Sequence, residues 1–240
     1  MKVLKFGGTS VGTAERMKSV AELINSDNEQ KIVVLSAMSG TTNSLVEISD
    51  YFYKQNKSGA LEKTNALEEK YADVIEGLFS NEKTKEKATE ICHQIFQEIR
   101  AQAKGVFTLF EEKIVLAQGE LLSTQLFQLY LEEQNVNSTL IPALDYMRID
   151  KKNEPETRFI AENLNEILKE KEGYNIYVTQ GYICRNFYGE IDNLQRGGSD
   201  YTASLVGAAI VASEIQIWTD IDGMHNNDPR IVENTKPVPT

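Results

Sequence analysis

Residues 31–43 read KIVVLSAMSGTTN, and their pattern decides the fold. Lys31 to Met38 is a short, continuous apolar run rich in valine, the signature of a strand buried on both faces. It runs into the polar stretch Ser39-Gly40-Thr41-Thr42-Asn43, and a helix is expected from about Ser44. Upstream, Lys2 to Phe6 reads as another strand, closed by Gly7-Gly8. A helical pattern then starts near Ala14 and places Met17, Val20, Ala21 and Ile24 on one face. Strand, loop, helix, strand, loop, helix implies a parallel sheet joined by right-handed crossovers.

Beyond this unit, Ala60 to Lys104 is dense in Glu and Lys at helical spacing, with Leu61, Leu67, Tyr71, Ile75 and Leu78 as its apolar stripe. That periodicity predicts a solvated helical hairpin. A second helix pair is expected over Phe107 to Glu133. Strands are expected at Val136 to Ile141, Tyr174 to Gln180 and Glu214 to Thr219, with helices from about Thr157 to Lys171 and after Asp200. The reading is one α/β domain: a mainly parallel sheet between helical layers, with a helical excursion after the second strand.

Composition narrows the function. Hydrophobic residues at 41% and charged residues at 25% suit an ordered globular enzyme. A net charge of −11 disfavours nucleic acid and anionic membrane as partners, because both would be repelled. Two cysteines without CxxC spacing and two histidines are too few for a zinc site or a disulfide framework, so Cys92 and Cys184 are expected as free thiols in a reducing cytoplasm. His93 follows Cys92 directly, and adjacent helical residues do not face each other, which argues against a Cys–His nucleophile.

Ligands of open parallel sheets bind outside the carboxyl ends of the strands. Four polar loops fall there: Gly7-Gly8-Thr9-Ser10, Ser36 to Asn43, Arg196 to Asp200, and Thr219 to Arg230. Gly7 and Gly12 have the GxxxxG spacing of a P-loop, but Thr13 stands where its lysine must be. The lysine lies instead on the strand, at Lys5, beside backbone N–H groups freed by the glycines, which makes an anion cradle; the plain alternative is a surface lysine next to a turn. In QRGGSDYTAS (195–204), Gly197 and Gly198 admit a phosphate or carboxylate to the backbone, and Arg196 can fork two hydrogen bonds onto it. Ser199 reads as a helix N-cap, and Asp200 as a carboxylate that at minimum complements the helix dipole. Glu120 follows Gly119 inside a helical stretch. A glycine there costs about 1 kcal/mol relative to alanine, so close approach of something is expected. Glu120 then pairs with a substrate ammonium or stands as an exposed helix carboxylate. Asp220 and Asp222 end a strand and suit magnesium-phosphate or ribose contacts, or simply a turn.

Taken together, KFGGTSV (5–11), VVLSAMSGTTN (33–43), AQGELLS (117–123), RGGSDYTA (196–203) and WTDIDG…DPR (218–230) resemble the aspartokinases of the amino acid kinase family, in the family's order along the whole chain. The resemblance implies an αβα sandwich that transfers the γ-phosphate of ATP, carried with Mg²⁺, to the β-carboxylate of L-aspartate, a step toward lysine, threonine and methionine. It further implies that Lys5 stabilises the transferring phosphoryl group, with Gly7, Gly8 and Thr9 along its path, and that Asp200 orients Lys5. Ser36, Thr42 and Glu120 would hold aspartate, and Arg196, with Gly197, Gly198 and Ser199, its α-carboxylate. Thr219, Asp220, His225 and Arg230 would contact the nucleotide. No protein-held metal is implied, and the expected partners are aspartate and ATP, with self-association allowed.

The sequence departs from the family at Leu194-Gln195, where a glycine is common, and at His225, where an aromatic residue often packs near adenine. Residues 1–240 are expected to be one catalytic domain lacking the family's GAKVLHP-type segment and its ACT regulatory domains. The competing expectation is a non-catalytic fragment that binds aspartate or nucleotide without efficient turnover.

Overall fold

The computed structural model describes residues 1–194 and 198–219, together with residues 223, 226, 227, 231, 232, 234–236 and 238. Its framework strands are β1 (Lys2–Phe6), β2 (Lys31–Leu35), β3 (Ser138–Leu140), β4 (Ile176–Gln180) and β7 (Glu214–Trp218). Among the described residues they form one parallel sheet in the order β3-β4-β2-β1-β7. Lys5 on β1 lies opposite Val34 of β2 and Ile217 of β7, and Val33 lies opposite Val178 of β4. Two short strands, β5 (Ile183–Arg185) and β6 (Ile191–Asn193), make an antiparallel hairpin that the sequence pattern does not announce. Three residues per strand are too few to show an alternation.

Alternation along the strands sorts the core into two faces. Leu4, Phe6, Val33 and Leu35 pack under α1 (Ala14–Ile24), α2 (Thr41–Tyr53), α3 (Lys57–Leu78) and α4 (Glu82–Ala101). Val3, Ile32, Val34 and Tyr177 pack against α6 (Ala143–Tyr146), α7 (Thr157–Glu170), α8 (Gly198–Ala209) and the hairpin. All five residues of β2 are buried, as the unbroken apolar run requires. On α1, Met17, Val20, Ala21 and Ile24 are buried as expected, and Thr13 caps the helix by accepting from the Arg16 amide. Each buried large side chain of this kind contributes about 1.5–3 kcal/mol.

Three expectations need correction. Residues Leu109–Glu133 form a single 25-residue helix, α5, rather than a pair, started by a capping box of Thr108 and Glu111. Its residues are buried almost all round from Val115 to Leu131, so no polar face marks its continuity in the sequence. The α3–α4 hairpin is confirmed, but Leu61 is 39% exposed and off its buried stripe, while Leu67, Tyr71, Ile75 and Leu78 are inside. Finally, α2 begins at Thr41 rather than near Ser44, entered through Gly40 at φ 79°. That left-handed conformation is open to glycine at little steric cost.

Candidate active site

The loops that leave β1, β2 and β4 meet at the carboxyl end of the sheet, where the first turn of α8 and the middle of α5 also arrive. They enclose a cavity of about 520 Å³ lined by Gly8, Thr9, Ser36, Thr42, Glu120 and Ser199, with Tyr182 and Gly198 at its side. Backbone bonds hold the loops together: Ser39 N–H donates to the Gly8 carbonyl at 3.0 Å, and Gly181 N–H to the Leu35 carbonyl at 2.8 Å. Gly7 turns the chain beside the cavity, its carbonyl accepting from the Ser10 amide at 2.9 Å.

Lys5 leaves β1 one residue before the strand ends and its Nζ lies 2.6 Å from Asp200 Oδ1, in the first turn of α8. The lysine side chain is only 12% exposed while that of Asp200 is 57% exposed, so the carboxylate faces solvent on one side and fixes the ammonium on the other. This excludes the reading of Lys5 as a loose surface lysine and gives Asp200 a partner beyond the helix dipole. Ser199 is not an N-cap, because α8 already includes Gly198. Its hydroxyl accepts instead from Ser36 Oγ at 2.9 Å, which ties α8 to the β2 loop. Ser123 Oγ on α5 donates to the Ser36 carbonyl at 2.8 Å and fixes the same loop from below.

Glu120 is 4% exposed, which rules out the exposed-carboxylate reading. Its Oε1 accepts from the Ala37 amide at 3.1 Å, and its Oε2 is buried with no hydrogen-bond partner. Burial pushes its pKa up to about 8, against a smaller downward pull from the Ala37 amide. An unpaired carboxylate oxygen on a residue that lines a cavity is a receptor for a cation or a donor. Gly119 has the close approach expected of it, but to protein: a Cβ there would lie 2.8 Å from Ala37 Cβ and 3.3 Å from Leu45 Cδ1. The glycine thus lets α5 press Glu120 against the β2 loop.

Tyr182, just past the end of β4, was not singled out in the sequence. It has φ 65°, unusual for a non-glycine residue, and burial pushes its hydroxyl pKa up to about 12. The strand-end position after Gln180 was the available signal. On the other side, Thr219 is exposed past the end of β7 and lines a second cavity of about 360 Å³ with Phe6, Arg16 and Trp218; Thr9 borders both cavities. Arg196, Gly197, Asp220, His225 and Arg230 lie outside the described residues. Among the described residues no group of three or more His, Cys, Asp or Glu side chains could hold a metal, and Cys92 and Cys184 are buried free thiols.

The model of the amino acid kinase family fits residues 1–240, and the chain belongs to that family. Within it, the chain is 32% identical to lysine-sensitive aspartokinase 3 of Escherichia coli over 239 residues, covering 98% of this chain and 52% of the relative. It is 31% identical to the aspartokinase of Chlamydia trachomatis, again over 98% of this chain and 52% of the relative. A crystal structure of E. coli aspartokinase III in complex with aspartate and ADP superposes with a TM-score of 0.85 at 31% identity, covering 99% of this chain and 53% of that one. Aspartate kinase of Clostridium acetobutylicum, at 24% identity and a TM-score of 0.77, shares the fold. The chain spans about half the length of these relatives.

Proposed function

We propose that the protein transfers the γ-phosphoryl group of ATP to the β-carboxylate of L-aspartate, giving 4-phospho-L-aspartate and ADP. The observation that carries the reading is a cavity lined both by the buried, half-satisfied Glu120 carboxylate and by Gly8, Thr9 and Ser199, which lie close in the chain to the Lys5–Asp200 pair. One end suits a transferring phosphoryl group and the other an ammonium. The E. coli aspartokinase III complex with aspartate and ADP supports it.

Phosphoryl transfer asks for positioning and charge neutralisation rather than a protein nucleophile. In the proposed step a β-carboxylate oxygen attacks the γ-phosphorus, the bond to the β,γ-bridging oxygen breaks, and ADP leaves. The attacking carboxylate is ionised at neutral pH, so no general base is needed. Lys5, aimed by Asp200, neutralises charge on the group in flight, and Gly8 and Thr9 present backbone along its path. Glu120 takes the α-ammonium of aspartate on its free Oε2, while Ser36 and Thr42 face the amino-acid side. Arg196, with Gly197 and Ser199, is assigned the α-carboxylate; Thr219, Asp220, His225 and Arg230 are assigned the nucleotide. Mg²⁺ would arrive on the nucleotide phosphates, which it would help to neutralise.

The test is ATP- and aspartate-dependent hydroxamate formation in hydroxylamine, with ADP release followed in parallel. Equal rates with glutamate would assign a sibling kinase. Aspartate and ADP binding without either product would assign a binding fragment.

A further inference from the structure

We infer that the α3–α4 excursion is a brace for segment 36–43, the β2 loop and the first turn of α2, with Lys70 and Tyr71 as positioning residues for the amino-acid side of the site. The charge pattern of this hairpin suggests bare scaffolding, yet two consecutive residues of α3 reach the same loop. Lys70 Nζ donates to the Ser39 carbonyl at 2.6 Å, and Tyr71 Oη shares a hydrogen bond with Thr41 Oγ1 at 3.0 Å. Between these anchor points stands Gly40, the left-handed residue through which the loop becomes α2. The brace therefore grips both sides of this bend.

Core packing alone does not account for this arrangement. Tyr71 and Thr41 are both fully buried, and the phenol places its one polar atom on the one buried hydroxyl at the start of α2. A phenylalanine would fill the same space without that bond. The ring is itself held by Phe96 of α4, edge to face at 5.8 Å between centroids. The far end of α3 is held by Lys18 of α1, whose Nζ donates to the Gly77 carbonyl at 2.7 Å. Two residues earlier on α1, Arg16 donates to the Thr9 carbonyl at 2.6 Å. Cation-to-carbonyl contacts thus lead from the β1 loop through α1 and α3 to the β2 loop, and the two loops also meet directly through Ser39 and Gly8. Side chains that orient functional groups are effective when their own rotamers are locked in this way.

The consequence for binding rests on the reading of the cavity as an aspartate site. Ser36 and Thr42 lie on the braced segment, and Glu120 is bonded to it at Ala37. Small displacements of positioned groups are costly to a reacting complex, up to about 100-fold for 1 Å. Loosening the loop should raise the aspartate Kd about tenfold and leave the ADP Kd within about twofold.

The experiment compares the parent protein with Tyr71→Phe, Lys70→Met and Lys70→Arg by hydrogen exchange over residues 36–43 and by calorimetric titration of aspartate and of ADP. Support is faster exchange in that segment with α3 and α4 still protected, weakened aspartate binding in Tyr71→Phe and Lys70→Met, and recovery in Lys70→Arg. Unchanged exchange in both truncating variants overturns the inference, as does faster exchange with unchanged aspartate affinity. If the parent binds no aspartate, the proposed function fails, and the exchange data still decide whether α3 braces the loop. Should Tyr71→Phe not fold, the Lys70 pair decides, since Lys70 sits at the rim and is only half-buried.

Discussion

Moving from pH 8 to pH 6 should weaken aspartate binding about fiftyfold, through Glu120 alone. Its carboxyl is pushed up to about 8 by burial, yet pairing with an ammonium requires the ionised form. The apparent Kd then scales as one plus the ratio of protonated to ionised carboxyl. That factor is about 2 at pH 8, about 11 at pH 7 and about 100 at pH 6. Tyr71 and Tyr182, which sense the Glu120 charge, have pKa values raised by burial and stay neutral across this range. The substrate carboxylates stay ionised and its ammonium stays charged, so neither reproduces the trend. Calorimetry in buffers of different ionisation enthalpy reads the same event directly: about 0.9 proton should leave the protein per aspartate bound at pH 7. Glu120→Gln should bind weakly with a nearly flat profile. A parent Kd that does not change between pH 6 and 8, with no proton released, would refute the argument. Stability gives the converse sign. Unfolded, this carboxyl ionises near 4.5; folded, it keeps its proton to about 8, so its contribution to stability is present below 4.5 and declines as pH rises through that window. The Gln variant should show a melting temperature that falls less between pH 5 and 8.

Three further outcomes are expected. Lys5→Met should lower kcat by about 10²–10³ while aspartate affinity changes little, because in the proposed reaction the Lys5–Asp200 pair stands where charge develops; near-normal turnover would remove Lys5 from the chemistry. Arg196→Ala should raise the aspartate KM strongly and the ATP KM far less, since a forked carboxylate contact would be lost; equal effects would move Arg196 to the phosphates. Gly119→Ala should lower the melting temperature despite alanine's better helix propensity, worth about 1 kcal/mol. The new methyl would meet Ala37 and Leu45, and overpacking typically costs about 1–3 kcal/mol. A gain in stability would show that α5 can retreat from the loop.

What could be read from the chain depended on how local its cause was. KIVVL predicted a strand buried on both faces because the run itself says so, and the parallel order followed from its neighbours. Met17, Val20, Ala21 and Ile24 were placed correctly by period alone. Lys5, Ser36, Thr42 and Glu120 stand out by their motifs, yet their surroundings do not: only the fold shows that Glu120 is buried with one oxygen unpaired. Ser199 is no cap because it lies inside α8, and its hydroxyl bonds Ser36, a partner 163 residues away that no local pattern marks. Leu109–Glu133 was divided in two because a helix wrapped by core on nearly every side has no polar face to mark its continuity. The roles of Lys70 and Tyr71 were hidden inside a charged helical pattern, since a hydroxyl that reaches 30 residues back in sequence leaves no periodic trace.

The unbroken run of α5 also sets what kind of change the gene can tolerate. Most of its buried residues join the core shared with α1 to α4, while Ala117 joins the core on the other face of the sheet and Leu121 touches both. Removing or adding one residue within the helix would turn everything beyond it by about 100° and shift it about 1.5 Å along the axis. An event between Leu116 and Gly119 would swing Glu120 away from Ala37 or drag Leu122, Leu126 and Leu131 out of their seats. Substitutions can accumulate along α5 one at a time, but its length is fixed. Alignment gaps in relatives that keep the Ala37–Glu120 contact should therefore fall before Thr108 or after Gln134, and a functional relative with a gap inside Leu109–Glu133 would need a compensating bulge in the same helix.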